Sequence, residues 1–243
     1  MKNLALLFFG IAGAAFLISG PAEARIAPLR VVFISGSAEY ESDKTMPILK
    51  KYLENKYPSL VTLISAKSEK DLPGLEALEK CDVAVLFTRR LKLEGDQLER
   101  IKKYVTSGKP VVGIRTASHG IQSFLEIDKE VFGGNYKGHY EAGPICEVNF
   151  PDDTKKRPIL DGVKPFKSKG SLYKNTGHNK DIDVILYGSI KDHTEPIAWT
   201  RTYKGGNIFY TSLGAQSDFE DENFLRLMTN GILWAGNRAP RNK

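Results

Sequence analysis

The chain has 243 residues, of which 41% are hydrophobic and 26% charged, and its formal net charge is +6. That length is enough for one domain with a well-formed core and short for two. The basic residues are scattered in small groups and are not interleaved with aromatic residues, so the composition argues against a nucleic-acid-binding protein.

The first part of the chain has the features of an export signal. Lys2 supplies positive charge, residues 4–18 form an apolar run, and residues 22–24 (Ala-Glu-Ala) match a cleavage site. The run is too short for a convincing membrane span, and it is interrupted by glycines. We therefore predict a signal peptide at residues 1–24 and an exported protein, periplasmic or secreted, without a stable membrane span after signal removal. Residues 25–243 should form a single domain. An uncleaved N-terminal anchor is the alternative.

The first half of the chain alternates between strand-like and helix-like patterns. Strands are predicted at residues 30–35, 60–64, 83–87 and 110–114, and helices at 43–56, 72–78 and 93–105. Asp43 is the expected N-cap of the first helix. This alternation indicates a mostly parallel sheet covered by helices on both faces, which is an α/β fold of the flavodoxin-like, doubly wound type.

The second half is rich in strands. Residues 132–140 are dominated by glycine and aromatic residues and have no helical or strand period. Strands are predicted at residues 145–150, 171–174, 182–187, 196–202 and 207–212, with a hairpin turn at 204–207 and a closing helix at 221–234. We expect these strands to extend the same sheet and to add an antiparallel layer.

The chain has two cysteines, Cys81 and Cys146. Export would permit a disulfide between them, but neither cysteine has a second Cys or a His at ligand spacing. Two buried thiols are the favoured interpretation. Zinc-ribbon and thioredoxin-like motifs are excluded by the count.

Residues 110–121, PVVGIRTASHGI, predict a buried strand that turns sharply into a helix. Such an elbow usually presents a nucleophile, but the nucleophile position is occupied by Arg115, which is always protonated. An arginine there could hold a carboxylate, phosphate or enolate oxygen. Ser118 and His119 are neighbours on the predicted helix and should diverge, so we do not expect a catalytic dyad. The alternative is that Arg115 pairs with an acidic residue and His119 only caps or packs.

The loop at residues 133–140, GGNYKGHY, is the second candidate binding element. Its glycines allow close approach to a ligand, and Asn135, Tyr136, His139 and Tyr140 offer polar groups and flat apolar faces. Sugars are commonly held in this way. A surface loop with turn glycines is the alternative.

Further candidate residues follow other strands. Glu39 and Tyr40 come after the first strand and should share a sheet edge with Arg115. Glu195 and Gln216 are two more predicted substrate-binding residues. No cofactor is identified: a divalent metal on His119, His139 and a carboxylate remains open, but the histidine spacings do not require one.

Several segments in this order resemble the ThuA-like (trehalose utilisation) family, of the class I glutamine amidotransferase-like superfamily. They are SGSAEYESDKTMPILKKYLE, PVVGIRTASHGI, FGGNYKGHY, EPIAWTRTYKGGNIFYTSLGA and ENFLRLMTNGILWAGN, within residues 30–237. The resemblance implies a flavodoxin-like fold and a role in the use of disaccharides and 3-keto-sugars. His119 and His139 match family positions. Arg115 and Ala215 stand where the family often has histidine.

The resulting hypothesis is acid/base chemistry on a small carbohydrate ligand. His139 or His119 would remove a proton α to a keto group, and Arg115, with or without a metal, would hold the enediolate. Isomerase, lyase and hydrolase reactions all remain open, whereas the elbow without a nucleophile argues against a glutamine amidotransferase. A non-catalytic carbohydrate-binding protein is the alternative, and a homo-oligomer is compatible with either.

Overall fold

The computed structural model describes residues 27–153 and 155–240. One nine-stranded sheet organises this part of the chain. Its strands are β1 Leu29–Gly36, β2 Ser59–Ser65, β3 Val83–Thr88, β4 Val111–Ile114, β5 Cys146–Asn149, β6 Phe166–Ser168, β7 Asp183–Ile190, β8 His193–Tyr203 and β9 Gly206–Thr211.

The strand order is β2-β1-β3-β4-β9-β8-β7-β5-β6. The first five strands in this order pair in parallel, whereas β8, β7, β5 and β6 pair in antiparallel fashion. The predicted flavodoxin-like α/β fold is therefore confirmed. The later strands continue the sheet edge to edge and do not form a separate layer.

Helices cover both faces of the sheet. They are α1 Ser42–Lys56, α2 Gly95–Val105 and α3 Glu222–Ala235. Successive residues of a strand point to opposite faces of the sheet and so contribute to two hydrophobic clusters. Phe33 and Val85 pack with Met46 of α1 and Phe224 of α3. The strand residues next to them in sequence pack on the other face, with Ile101 of α2. Because every residue of β3 is buried, this strand lies in the middle of the core.

Some predicted elements differ from the structure. The helix predicted at 72–78 is a five-residue 3₁₀ helix, Leu75–Glu79, and α1 begins one residue before Asp43, which lies in its first turn and is not the N-cap. Residues 171–174 form only an isolated antiparallel bridge between Tyr173 and His139, because the backbone hydrogen bonds that join the two segments extend only over residues 137–140 and 172–174. The short strand β6 was not predicted, since three residues carry too little periodicity.

Cys81 and Cys146 are both buried free thiols, as favoured from the sequence. Burial raises the pKa of the Cys146 thiol to about 11, so it stays protonated at neutral pH.

The predicted signal peptide lies outside the described residues. Within the described part, none of the helices is long and apolar enough to cross a membrane.

Candidate active site

The end of β4 has the strained backbone of an elbow. Arg115 directly follows Ile114 and has φ +46°, in the left-handed region that non-glycine residues rarely adopt. The helix that follows is only the 3₁₀ helix Arg115–His119, shorter than the sequence predicts. Gly120 is its C-cap, and a Cβ at this position would lie 2.2 Å from Thr88 Oγ1, so the backbone packs closely against the end of β3 here. The chain then turns away to bridge Leu91.

The Arg115 side chain is almost wholly buried, with 2% exposure. Its Nη1 donates to the carbonyl oxygen of Ser212 at 2.6 Å, and its Nη2 lies 3.1 Å from Ser171 Oγ. No acidic side chain in the described part forms an ion pair with Arg115, so the predicted alternative of an acidic partner is wrong. Much of the donor fork predicted to hold a ligand oxygen is instead used to tie β4 to the segments at 171 and 212.

Aromatic rings enclose the Arg115 guanidinium and continue from it as a column. Its Cζ lies 4.8 Å from the ring centroid of Tyr40 and 4.6 Å from that of Tyr173. Tyr173 then contacts Tyr136 at 4.5 Å between centroids, and Tyr136 stacks on His119 at 4.1 Å. We call Tyr40, Arg115, Tyr173, Tyr136 and His119 the aromatic column. Three separate loops and the elbow meet in it, at the carboxyl edge of the parallel strands.

His119 at the end of the column is neutral over most of the pH range. Burial, together with the positive charges of Arg89, Arg90 and Arg115, lowers its pKa to about 4. Its Nδ1 lies 3.0 Å from Ser118 Oγ. The expectation that these two neighbours diverge is wrong for this pair, because their side chains lie within hydrogen-bond distance of one another. Nε2 is therefore the ring nitrogen left for a ligand.

Glu39 and Arg89 form an ion pair beside His119. Glu39 is thus near the column, as predicted, but its carboxylate is already partnered. This pair also lines a cavity of about 570 Å³ at the carboxyl ends of β1, β2 and β3. The strand order reverses direction between β1 and β3, and such switch points are the usual ligand crevices of doubly wound sheets.

In the described part of the chain, the cavity lining carries many charged and hydroxyl side chains and no aromatic ring. Its charged residues are Glu39, Glu41, Asp43, Lys44, Lys67, Glu69, Arg89 and Arg90, and its serines are Ser35, Ser37, Ser42, Ser65 and Ser68. A second cavity, of about 610 Å³, lies between α2 and the turn Leu75–Glu79, away from the column.

The glycine-rich loop divides the predicted residues between two places. Tyr136 joins the column. Asn135 donates through Nδ2 to the carbonyl oxygen of Thr176 at 2.7 Å, which ties the loop to its neighbour. His139 is exposed, and its backbone lies opposite Tyr173, but its ring makes no stacking contact with the column among the described residues. His139 therefore lies at the rim, and the structure does not bring it against His119.

Glu195 and Gln216 lie apart from the column. Glu195 is buried, and its carboxylate accepts from Tyr140 Oη at 2.9 Å and from the Asn175 backbone N–H at 3.1 Å. It therefore anchors two loops. Gln216 is exposed at the start of the 3₁₀ helix Gln216–Glu220 after β9. Within the described ranges, no three His, Cys, Asp or Glu side chains are grouped so that they could hold a metal ion.

Sequence reasoning did not single out Tyr173, Ser118, Arg89 or Asp128 as functional. Tyr173 lies in a segment that was predicted to be a strand, and Arg89 is not part of any motif recognised in the sequence. Asp128 was missed because its importance depends on the backbone of Tyr136, whose N–H it accepts at 2.7 Å. Only the position of Arg89 directly after a predicted strand could have suggested a place at the ligand edge.

The fold and the site define a class: a doubly wound α/β protein whose candidate site lies at a nucleophile-type elbow that carries arginine. The chain belongs to the ThuA family, described as trehalose utilisation, whose model matches residues 30–235. No curated protein matches the sequence.

Solved structures share the fold. A protein described as ThuA-like from Parabacteroides merdae ATCC 43184 is 19% identical over 89% of this chain and 93% of its own, with a TM-score of 0.68. Another, from Bacteroides uniformis ATCC 8492, is 16% identical over 91% of this chain and 98% of its own, with a TM-score of 0.67. A β-galactosidase from Bacillus circulans sp. alkalophilus is 14% identical over 87% of this chain but only 32% of its own, with a TM-score of 0.55.

Proposed function

We propose that the protein binds a carbohydrate against Tyr136 and His119, with the neighbouring cavity taking part of the ligand, and that His119 acts as a general base on a keto-sugar such as a 3-keto-glycoside. The observation that carries this proposal is the neutral His119 imidazole, stacked on Tyr136 and held through Nδ1. A base must be unprotonated at the working pH, and a pKa of about 4 satisfies that requirement. The same low pKa makes this imidazole a weaker proton acceptor than one whose pKa lies near the working pH.

The shape and chemistry of the surroundings support a sugar. A sugar ring has an apolar C–H face that packs on aromatic rings, and hydroxyl groups that both donate and accept hydrogen bonds. The column supplies the ring face. The cavity of about 570 Å³ supplies serine hydroxyls and equal numbers of acidic and basic side chains, and it is within the usual size range of small-molecule sites. This balance favours a neutral polyhydroxylated ligand over a strongly charged one.

The proposed chemistry begins at His119 Nε2. Ser118 Oγ can accept from Nδ1–H while donating to the Arg115 carbonyl oxygen at 3.4 Å, an arrangement that leaves the Nε2 lone pair free. Nε2 takes the proton from the carbon next to the keto group. The C–H electron pair becomes a C=C bond, and the C=O pair moves onto oxygen.

The enediolate then collapses in one of two ways. In isomerisation, the proton of the adjacent hydroxyl group moves to the enolate oxygen and the abstracted proton returns to the former carbonyl carbon, which leaves the carbonyl group on the neighbouring carbon. In elimination, a β-glycosidic oxygen leaves with the C–O electron pair and takes up the abstracted proton. Arg89, and Arg115 as a buried fixed charge, favour the negative intermediate. The same charges lower the pKa of His119 and so promote the return of its proton.

Turnover of a 3-keto-glucoside tests this proposal. We expect His119→Gln to lower kcat by about 100-fold or more, the ordinary contribution of a general base, with a smaller effect on KM. His139→Gln is the matched control, because it removes an exposed histidine from the same rim, and we expect it to retain activity. Equal rates in wild type and His119→Gln would refute the base role. Saturable binding without product in the wild type would favour the non-catalytic carbohydrate-binding alternative.

We further propose that the protein is exported, on the basis of the charged start, apolar run and Ala-Glu-Ala site in residues 1–24. Fractionation of expressing cells, followed by N-terminal sequencing, tests this. The expected product is extracytoplasmic and begins near Arg25. A full-length product in the cytoplasm would contradict export, and a full-length product in the membrane would favour the anchor.

A further inference from the structure

Asp128 is a buried carboxylate that holds the base of the glycine-rich loop. It begins the helical turn Asp128–Phe132 and is 8% exposed. Its Oδ2 accepts from the backbone N–H of Tyr136 at 2.7 Å, and its carbonyl oxygen accepts from the N–H of Gly134 at 2.9 Å. One residue thus fixes both ends of the segment that delivers Tyr136 to the column.

Among residues 27–153 and 155–240, none forms an ion pair with this carboxylate. The titratable and charged side chains on its own turn and on the elements packed around it are Lys129, Glu130, Tyr136, Arg201, Tyr210, Arg115 and His119. None of these forms an ion pair with Asp128 in the described part of the chain, and Arg201 is paired with Asp181. A buried carboxylate without a cation favours its neutral form, and burial raises the pKa of Asp128 to about 6, against the opposing effect of the Tyr136 N–H.

There is little room for the loop to adjust around this group. A methyl group on Gly134 would lie 2.3 Å from Asp128 Oδ1 and 3.2 Å from Trp199 Cζ2. The Trp199 indole N–H donates to the Phe132 carbonyl oxygen at 2.7 Å. The Asp128 carboxylate, the loop and the Trp199 ring are therefore packed as one unit, so a change at Asp128 is transmitted to the other two.

We propose that Asp128 is a positioning residue: its ionised carboxylate holds the Tyr136 backbone, and hence the ring stacked on His119, and its protonation loosens this segment. A hydrogen bond to an ionised acceptor is stronger than one to a neutral acid, so protonation weakens the anchor. The protonation-dependent change needs no substrate. Only its effect on turnover rests on the proposed function.

Tryptophan fluorescence of the folded protein tests the proposal. The chain has two tryptophans, so Trp234→Phe leaves Trp199 as the reporter. Between about pH 4.5 and pH 8 we expect a transition with a midpoint near pH 6, the pKa of Asp128. Adding Asp128→Asn should abolish it. Glu126→Gln, at an exposed carboxylate two residues earlier, is the control that should retain it.

A transition that persists unchanged with Asp128→Asn, or its absence in the Trp234→Phe protein, would overturn the proposal. Should Asp128→Asn fail to fold, the Tyr136 amide proton of the unmodified chain provides an NMR readout. Its chemical shift should move with a midpoint near pH 6, and a flat profile would be contrary evidence. With a 3-keto-glucoside, KM should rise below pH 6 in the wild type but not with Asp128→Asn. If the fluorescence transition is observed but KM does not change in this way, the result would count against the proposed reaction and still support the effect of Asp128 protonation on the loop.

Discussion

The His119 imidazole lies face to face with the Tyr136 ring, with centroids 4.1 Å apart and planes 13° from parallel. These residues come from different loops, and each controls a different property of the site. His119 has its pKa lowered to about 4, and Tyr136 is attached through its backbone to Asp128. Their contact therefore joins the candidate base to the loop that would hold a ligand.

Removal of the Tyr136 ring should weaken ligand binding. We expect Tyr136→Ala to reduce sugar affinity by about tenfold, since an aromatic stacking contact contributes about 0.5–1.5 kcal/mol beyond its buried area. Tyr136→Phe retains the flat ring and is the matched control. Calorimetric titration with a 3-keto-glucoside measures both. Equal affinity in Tyr136→Ala and Tyr136→Phe would mean that the ring face does not contact the ligand.

The pKa of His119 should depend on Arg89. NMR titration of the wild type should give a value near 4. Arg89→Gln removes a nearby positive charge and leaves Glu39 unpaired, so it should raise the pKa of His119 toward 6.5. Lys67→Gln, which lines the same cavity but is absent from the charges that act on His119, should leave it unchanged. An unaltered pKa of His119 in Arg89→Gln would assign the low value to burial and to the charges of Arg90 and Arg115.

The two shifted groups should affect stability in opposite directions on acidification. His119 has a pKa of about 4 when folded and 6.5 in its ordinary state, so its contribution is complete above pH 6.5 and is lost as the pH falls to 4. Asp128 moves from 3.8 up to about 6, so its folded form binds the proton more tightly and stability increases as the pH falls from 6 to 4. At about 1.4 kcal/mol per pKa unit, the upper limit is about 3.5 kcal/mol for His119 and about 3 kcal/mol for Asp128.

Single variants should separate these opposing effects. Urea denaturation at about pH 7.5 and pH 4.5 should show that His119→Gln gains stability on acidification relative to wild type, whereas Asp128→Asn loses it. The same pH dependence in both variants would contradict the assigned pKa shifts. Glu126→Gln, at an exposed position, should follow the wild type.

Arg115 should be important for stability whatever the activity. Arg115→Met leaves the buried oxygens of Ser212 and Ser171 without their donor and removes the cation between two tyrosine rings. We expect a loss of about 3 kcal/mol or more in the free energy of unfolding. Arg100→Met, on the exposed side of α2, should cost less than about 1 kcal/mol although it also removes ion pairs. Thermal denaturation compares the two variants; similar losses would argue against a special role for the buried cation.

The sequence alone determined the strand–helix alternation and hence the doubly wound sheet, because buried parallel strands and amphipathic helices have local periodicities. It also indicated the elbow at Arg115, since a short apolar run ending in polar residues is a local signal. Near Leu72 and Ser171 the pattern was too short to distinguish a turn from a regular element. The match of the chain to the ThuA family agrees with this fold.

Tertiary structure decided what the elbow can do. Whether Arg115 meets a ligand or the carbonyl of Ser212 depends on β9 lying beside β4, a pairing between residues about 97 positions apart. The contact of Ser118 with His119, the stacking of Tyr136 on His119 and the separation of His139 likewise depend on how the elbow and the loops pack at the sheet edge. The sequence determines which chemical groups the side chains carry. The partners, burial and charge state of those groups depend on contacts between distant segments, which exist only in the assembled sheet.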